Sequence, residues 1–433
     1  MQNYLGHKLN NSLIRETLIY TVTDVIGKAM SFVLLPIVSF YMPPEEFGLA
    51  TNFTVITTLV SLFAGLAVVN SLPFFFYEQG KDENNLMISS LLMLCTIFCV
   101  GLAVIIVLLN NVVYHFLQLS LSVQLLGVIY VIGMLISQSS LLLMRLENKP
   151  RQFAYLQIFQ IVFHTFAVLF FVILLRGGGV GKILAETIVF VVMGIIHLGI
   201  LIKKGYVSLI WNYEWMKKLL KFGIPLLPHS VSFWLKSGMD KVFITTYCGL
   251  QFNGLYSMAI SISAVYTMLV QSFFNAYTPH LQKRLVAFDD GKPHWNEKRK
   301  IVKQTYLLFA LFGLVGVLII AVCWFLFNYM IDCKYLPALS FMPIIIFASF
   351  VNIFYQFTIQ YIYKMKKTVI MGIITFTGSL IQLLLSYWLI RECGVVGAVY
   401  SLLIGNLLIT IGIALYSKMV YDMPWFSFWE IKK

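Results

Sequence analysis

Apolar residues run along this chain in stretches near 20 residues long, each ended by a short polar, basic or glycine-containing cluster. Twelve stretches stand out: about 13–41, 47–77, 86–109, 121–143, 153–175, 183–202, 222–247, 253–279, 303–327, 337–361, 367–390 and 396–417. As helices they are long enough to cross roughly 30 Å of hydrocarbon. A helix satisfies its own backbone hydrogen bonds there, which an isolated strand cannot do. The pattern predicts an all-α polytopic membrane protein with about 12 transmembrane helices. The first stretch exceeds a signal-peptide core, carries Asp24 and Lys28, and meets no small-residue cleavage site, so it reads as a span.

Composition agrees, with 60% hydrophobic residues and only 11% charged ones. No water-soluble fold has the interior to hide that much apolar side chain. The net charge of +13 does not point to nucleic acid, because the basic residues sit in short loops. Of the 31 Lys and Arg residues, 24 fall at the termini and in alternate loops, and four fall in the opposite loops. By the positive-inside rule both termini are expected in the cytoplasm. The loop at 203–221, with Trp211, Trp215, Lys217, Lys218 and Lys221, reads as a cytoplasmic interfacial helix. The tail around Trp425, Phe426, Phe428 and Trp429 is expected at the headgroups.

The chain echoes itself. Tyr41, Gly48 and Leu49 after the first span repeat at the same spacing as Tyr247, Gly254 and Leu255 after the seventh. Arg176, Gly179 and Gly181 before the sixth span are echoed by Arg391, Gly394 and Gly397 before the twelfth. The expected organisation is two six-helix bundles, 1–202 and 222–433, joined by the 203–221 linker and related by an internal parallel repeat.

Two spans carry charges. The first holds Asp24 and Lys28; the seventh holds Lys236, Asp240 and Lys241. A charge at the bilayer centre costs about 2.5–3.5 kcal/mol on insertion scales. On a helix, Asp24 and Lys28 share a face, as do His229, Ser232, Lys236 and Asp240, with Asp/Lys pairs at i,i+4. Both spans are expected to line a wet central cleft. Lys28, Lys236, Lys241 and His229 are the candidate substrate-binding residues, and Asp24 and Asp240 the candidate coupling or counter-charge residues. The bland alternative is that the pairs staple helices together. His164 and His197 read as hydrogen-bonded packing residues.

No cofactor or metal is expected. The six cysteines form no CxxC and no Cys/His metal spacing. The run from Arg176 to Ile183 looks like a P-loop, but its first glycine is one place too close to Lys182 and no Ser or Thr follows.

The segment Phe222-Gly-Ile-Pro225-Leu-Leu-Pro228-His-Ser, then Asp240-Lys241, then Gly254-Leu255-Tyr256-Ser257 resembles the polysaccharide and O-antigen flippases (the Wzx type) of the multidrug/oligosaccharidyl-lipid/polysaccharide exporter superfamily. Leu35-Pro36 and Phe47-Gly48-Leu49 are similar to the family's first repeat. Family members often have Arg where Lys241 stands, so a bidentate anion contact is not expected there. The resemblance implies a transporter, not an enzyme, of the cell inner membrane. It implies an undecaprenyl-pyrophosphate-linked oligosaccharide as substrate, moved to the periplasmic leaflet by alternating access around a cationic central cavity. Its implied partners are membrane lipids, a polysaccharide polymerase and a chain-length regulator. The open alternatives are a multidrug or peptidoglycan-precursor exporter of the same superfamily, or a membrane-embedded polymerase or ligase.

Overall fold

A computed structural model describes residues 2–66, 68–78, 80–208, 210–288 and 294–425. The chain divides into two compact units, Met1–Trp234 and Leu235–Lys433. Among the described residues all regular structure is helical. Among them, eleven helices are long and apolar enough to cross a membrane.

The first unit contains α1 (Gln2–Tyr41), α2 (Pro44–Gly65), the short α3 (Leu72–Phe75), α4 (Lys81–Leu108), α5 (Asn110–Leu117), α6 (Leu121–Leu146), α7 (Pro150–Val168), α8 (Gly178–Lys203) and α9 (Tyr213–Gly223). The helix α10 (Leu227–Cys248) begins in it and runs into the second unit. There follow α11 (Leu250–Val286), α12 (Trp295–Tyr329), α13 (Met342–Lys364), α14 (Thr368–Cys393) and α15 (Val395–Val420). Eleven of the twelve expected spans qualify by length and apolarity; the other, α10, has 22 residues but holds Lys236, Asp240 and Lys241.

Two boundaries are moved by breaks in the backbone. The second span stops at Gly65, not 77, where Leu66 turns left-handed at φ 44°, and a short 3-10 turn and α3 follow. The seventh starts at Leu227, because Pro225 lies in a 3-10 turn that separates it from α9. A proline lacks the N–H that a continuous helix needs.

Close helix contact in the first unit depends on small residues. A Cβ on Gly133 of α6 would collide with the Phe190 carbonyl of α8, and one on Gly194 would lie 2.7 Å from Gly133 Cα. Small residues permit such approach between membrane helices, where water supplies no hydrophobic drive. His197, fully buried in α8, adds a 2.9 Å hydrogen bond between Nδ1 and Ser140 Oγ of α6. Gly133→Leu is therefore expected to abolish accumulation of folded protein, read by detergent-stable size-exclusion yield. Normal yield would contradict this packing.

In span order, the sixth helix packs on the fourth in both sets: α8 on α6, and α15 on α13. The first echo sits at the same place in each, with Tyr41 and Tyr247 ending a charged helix and Gly48-Leu49 and Gly254-Leu255 opening the next. At the second echo, Gly178 (φ 54°) and Gly394 (φ 64°) make the turn into the last helix of their set, although the sequence aligns Gly394 with Gly179. That left-handed backbone favours glycine.

Outward faces are apolar. Leu307, Leu314, Val317 and Leu318 of α12 are each more than 60% exposed, as side chains against lipid would be. At the loop end, Glu147 binds Lys149, Lys204 and Tyr206, clasping the α6–α7 turn to the end of α8. Burial alone would raise its carboxyl pKa, but these hydrogen bonds outweigh it and hold the group below its usual range.

The loop helix is α9, Tyr213–Gly223, shorter than the expected 203–221 element. Its apolar face packs on protein: Trp215, Met216 and Leu219 are buried, and Trp215 Nε1 donates to Glu83 Oε2 at 2.6 Å. Trp211 remains exposed. In the tail, Trp425 is buried against protein, with Leu281, Leu285, Ile301 and Tyr361. Phe426, Phe428 and Trp429 lie outside the described residues.

Candidate functional site

In the second unit α10 brings its charges against three other helices. Lys236 Nζ donates to Asn406 Oδ1 of α15 at 2.9 Å, and Asn406 Nδ2 donates to the Ala348 carbonyl of α13 at 3.1 Å. Asp240 is 4% exposed. It accepts from Ser386 Oγ of α14 at 2.6 Å and from Tyr256 OH of α11 at 3.2 Å. Ser386 Oγ also lies 2.7 Å from Ser401 Oγ of α15. The i,i+4 Lys236–Asp240 pair expected from spacing does not close, because each side chain is held by a neutral partner on another helix. Lys241 is half-buried beside Asp240 and has no hydrogen bond or ion pair among the described residues. The His229 side chain lies outside the described residues.

A buried carboxylate needs hydrogen bonds or countercharge to offset lost hydration. Asp240 has two hydroxyl donors and two lysines nearby on its own helix. The cluster keeps one positive charge in excess, and its cations are not consumed by direct ion pairs.

In the first unit the structure replaces the expected Asp24–Lys28 pair. Asp24 binds Arg145 of α6, whose Nη2 is 3.2 Å from both carboxylate oxygens. The Arg145 guanidinium lies 4.5 Å from the Phe153 ring centroid and 5.5 Å from that of Tyr20. Lys28 is exposed and has no ion pair or hydrogen bond among the described residues. Asp24 therefore pairs across the helix interface with Arg145 and not along its own helix with Lys28.

Arg145, Asn406, Ser386 and Tyr256 were not among the sequence candidates. Arg145 reads in sequence as one more cytoplasmic loop cation. Tyr256 shows there as part of the Gly254–Ser257 motif, and Ser386 and Asn406 only as polar residues in apolar spans; such residues face the protein interior because lipid offers no partner.

The P-loop lookalike resolves differently. Glu46 Oε2 accepts from Gly179 N at 3.1 Å, and its carboxylate crowds Gly178. An anion already occupies the α8 N-terminus, where a phosphate would sit. Lys182 is bound to Glu186 at 2.6 Å.

A family model described as "Polysaccharide biosynthesis protein" matches residues 13–284. "Lsg locus putative protein 1" of Haemophilus influenzae is 22% identical over 321 residues, covering 70% of this chain and 71% of that protein. An "Uncharacterized membrane protein" of the same organism is 21% identical, covering 82% and 85%. Among solved structures, the lipid II flippase MurJ in an inward closed conformation superposes with TM-score 0.70, at 13% identity and 96% and 95% coverage. An inward-facing multidrug resistance MATE family transporter of the MOP superfamily gives TM-score 0.69, at 15% identity and 93% and 97% coverage. These likenesses establish the fold as that of a multi-pass membrane transporter.

Proposed function

We propose, given that this chain belongs to the polysaccharide biosynthesis protein family, that it flips a lipid-linked oligosaccharide across the bilayer. The substrate class is an undecaprenyl-pyrophosphate-linked oligosaccharide destined for surface polysaccharide. It moves from the cytoplasmic to the periplasmic leaflet by alternating access around the cationic central cavity that the resemblance implies. The observation that carries this reading is the charge of the α10 cluster, where Lys236 and Lys241 stand around one carboxylate without closing an ion pair. Membrane-embedded cations are costly and are kept where they meet an anion. A pyrophosphate is such an anion, whereas a cationic drug would favour an excess of carboxylates.

Lys28, Lys236, Lys241 and His229 are proposed to face the headgroup, and Asp24 and Asp240 to balance or couple its charge. The polymerase and chain-length regulator that extend the exported unit are proposed partners. Deleting the gene should stop surface polysaccharide and leave its lipid-linked unit on the cytoplasmic leaflet. A deletion strain with unchanged surface polysaccharide would refute the proposal.

The proposed location is the inner membrane, with both termini cytoplasmic. In a cysteine-free background, Glu45→Cys and Lys334→Cys should react with an impermeant thiol reagent from outside. Lys366→Cys should be protected until the membrane is opened. All three positions are exposed on the protein, so reversed labelling would invert the topology.

A further inference from the structure

We propose that Arg145 is a phosphate anchor of the first unit and that Asp24 is the placeholder anion it releases when a pyrophosphate arrives. The inference rests on the pyrophosphate-linked substrate proposed above and assigns it a residue.

The geometry leaves Arg145 only partly used. One nitrogen, Nη2, serves both oxygens of Asp24 at 3.2 Å. A guanidinium carries five N–H donors. Those on Nε and Nη1 meet no protein acceptor among the described residues. The Asp24 contact is therefore not the two-nitrogen fork that makes arginine–carboxylate pairs strong. The Phe153 and Tyr20 rings hold the guanidinium by their faces, a contact that survives a change of anion.

A structural staple explains the pair poorly. Both side chains are 42% exposed, and so open a pair contributes roughly 0–1 kcal/mol. Stability alone gives little reason to keep it. An exchangeable anion does: it shields the guanidinium when the site is empty and leaves cheaply when a better anion comes. Lys28, one turn along α1, is exposed and unpaired among the described residues. With Asp24 displaced, a pyrophosphate has a planar fork for one phosphate and an ammonium for the other.

The phosphate could instead belong to an anionic membrane lipid at the headgroup level, and the test separates the two. Full-length protein in phosphatidylcholine nanodiscs is titrated with undecaprenyl pyrophosphate, then again with phosphatidylglycerol added to the disc. Asp24→Asn should bind roughly two- to fivefold more tightly, the worth of an exposed ion pair. Arg145→Gln should bind roughly tenfold more weakly or worse, the loss of a charged hydrogen bond. Arg145→Lys should fall between Arg145→Gln and the unmodified protein. In the Arg145→Gln background, Asp24→Asn should bring no tightening. Melting temperatures check that each variant is folded. If Arg145→Gln does not accumulate, Asp24→Asn alone still decides, since unchanged or weaker binding overturns the inference. Equal tightening in both backgrounds overturns it too. So does phosphatidylglycerol displacing the ligand from unmodified protein but not from Arg145→Gln. Should Lys236→Ala lose binding while Arg145→Gln keeps it, this inference fails and the substrate reading stands. If unmodified protein binds no undecaprenyl pyrophosphate, both fail.

Discussion

Lys236→Ala is expected to leave the protein in the membrane and to remove surface polysaccharide. The ammonium's protein partner is the neutral amide of Asn406 at 2.9 Å. Its loss strips no carboxylate of an ion pair, since Asp240 is held by Ser386 and Tyr256. Folding should therefore survive. A charged contact to a pyrophosphate is worth about 1.5–3 kcal/mol, so transport should fall roughly 10- to 150-fold. Lys28→Ala should act alike and with still less effect on folding, because Lys28 has no partner among the described residues. Arg at either position should keep part of the activity through its charge. Normal export by either Ala variant at native expression would make that lysine structural.

The second large effect is expected at Asp240. Its carboxylate is buried, receives two hydroxyl donors, and lies one turn from Lys236 and beside Lys241. A pyrophosphate drawn to those lysines takes up part of the charge that compensates Asp240. An incoming proton or cation then meets a less well-balanced carboxylate, which links substrate binding to ion binding. Asp240→Asn preserves shape and an acceptor oxygen for Ser386 or Tyr256. It should accumulate normally and bind substrate, yet transport at a rate that no longer follows the ion gradient. If Asp240 only offsets the lysines during folding, the variant will accumulate poorly. In that case whatever survives will keep its normal gradient dependence.

The membrane class and nearly every span were legible in sequence, because helix length and apolarity are local properties. The charged α10 also stood out by its composition. What could not be read was who binds whom. Asp24 and Arg145 are 121 positions apart, and Lys236 and Asn406 are 170 apart. Spacing on one helix favoured the i,i+4 lysines; tertiary packing supplied partners with better reach. The break at Gly65 was masked because apolar residues resume at Leu72 and Phe74–Phe76, so the span reads on past the turn signals Asn70, Ser71 and Pro73. Trp215 and Trp425 look in sequence like interface anchors, yet both are buried, since an amphipathic face fits a protein surface as well as a lipid one.

Flipping itself is the most direct measurement. Purified protein is reconstituted into liposomes that carry an undecaprenyl-pyrophosphate-linked oligosaccharide with a fluorescent sugar. An impermeant quencher then reports the fraction exposed on the outer leaflet over time. Active protein should bring label from the inner to the outer leaflet well above the protein-free rate, and Lys236→Ala should return the rate to that background. Equal rates with and without protein, or undiminished transfer by the Lys236→Ala variant, would contradict a flippase that works through its intramembrane cations.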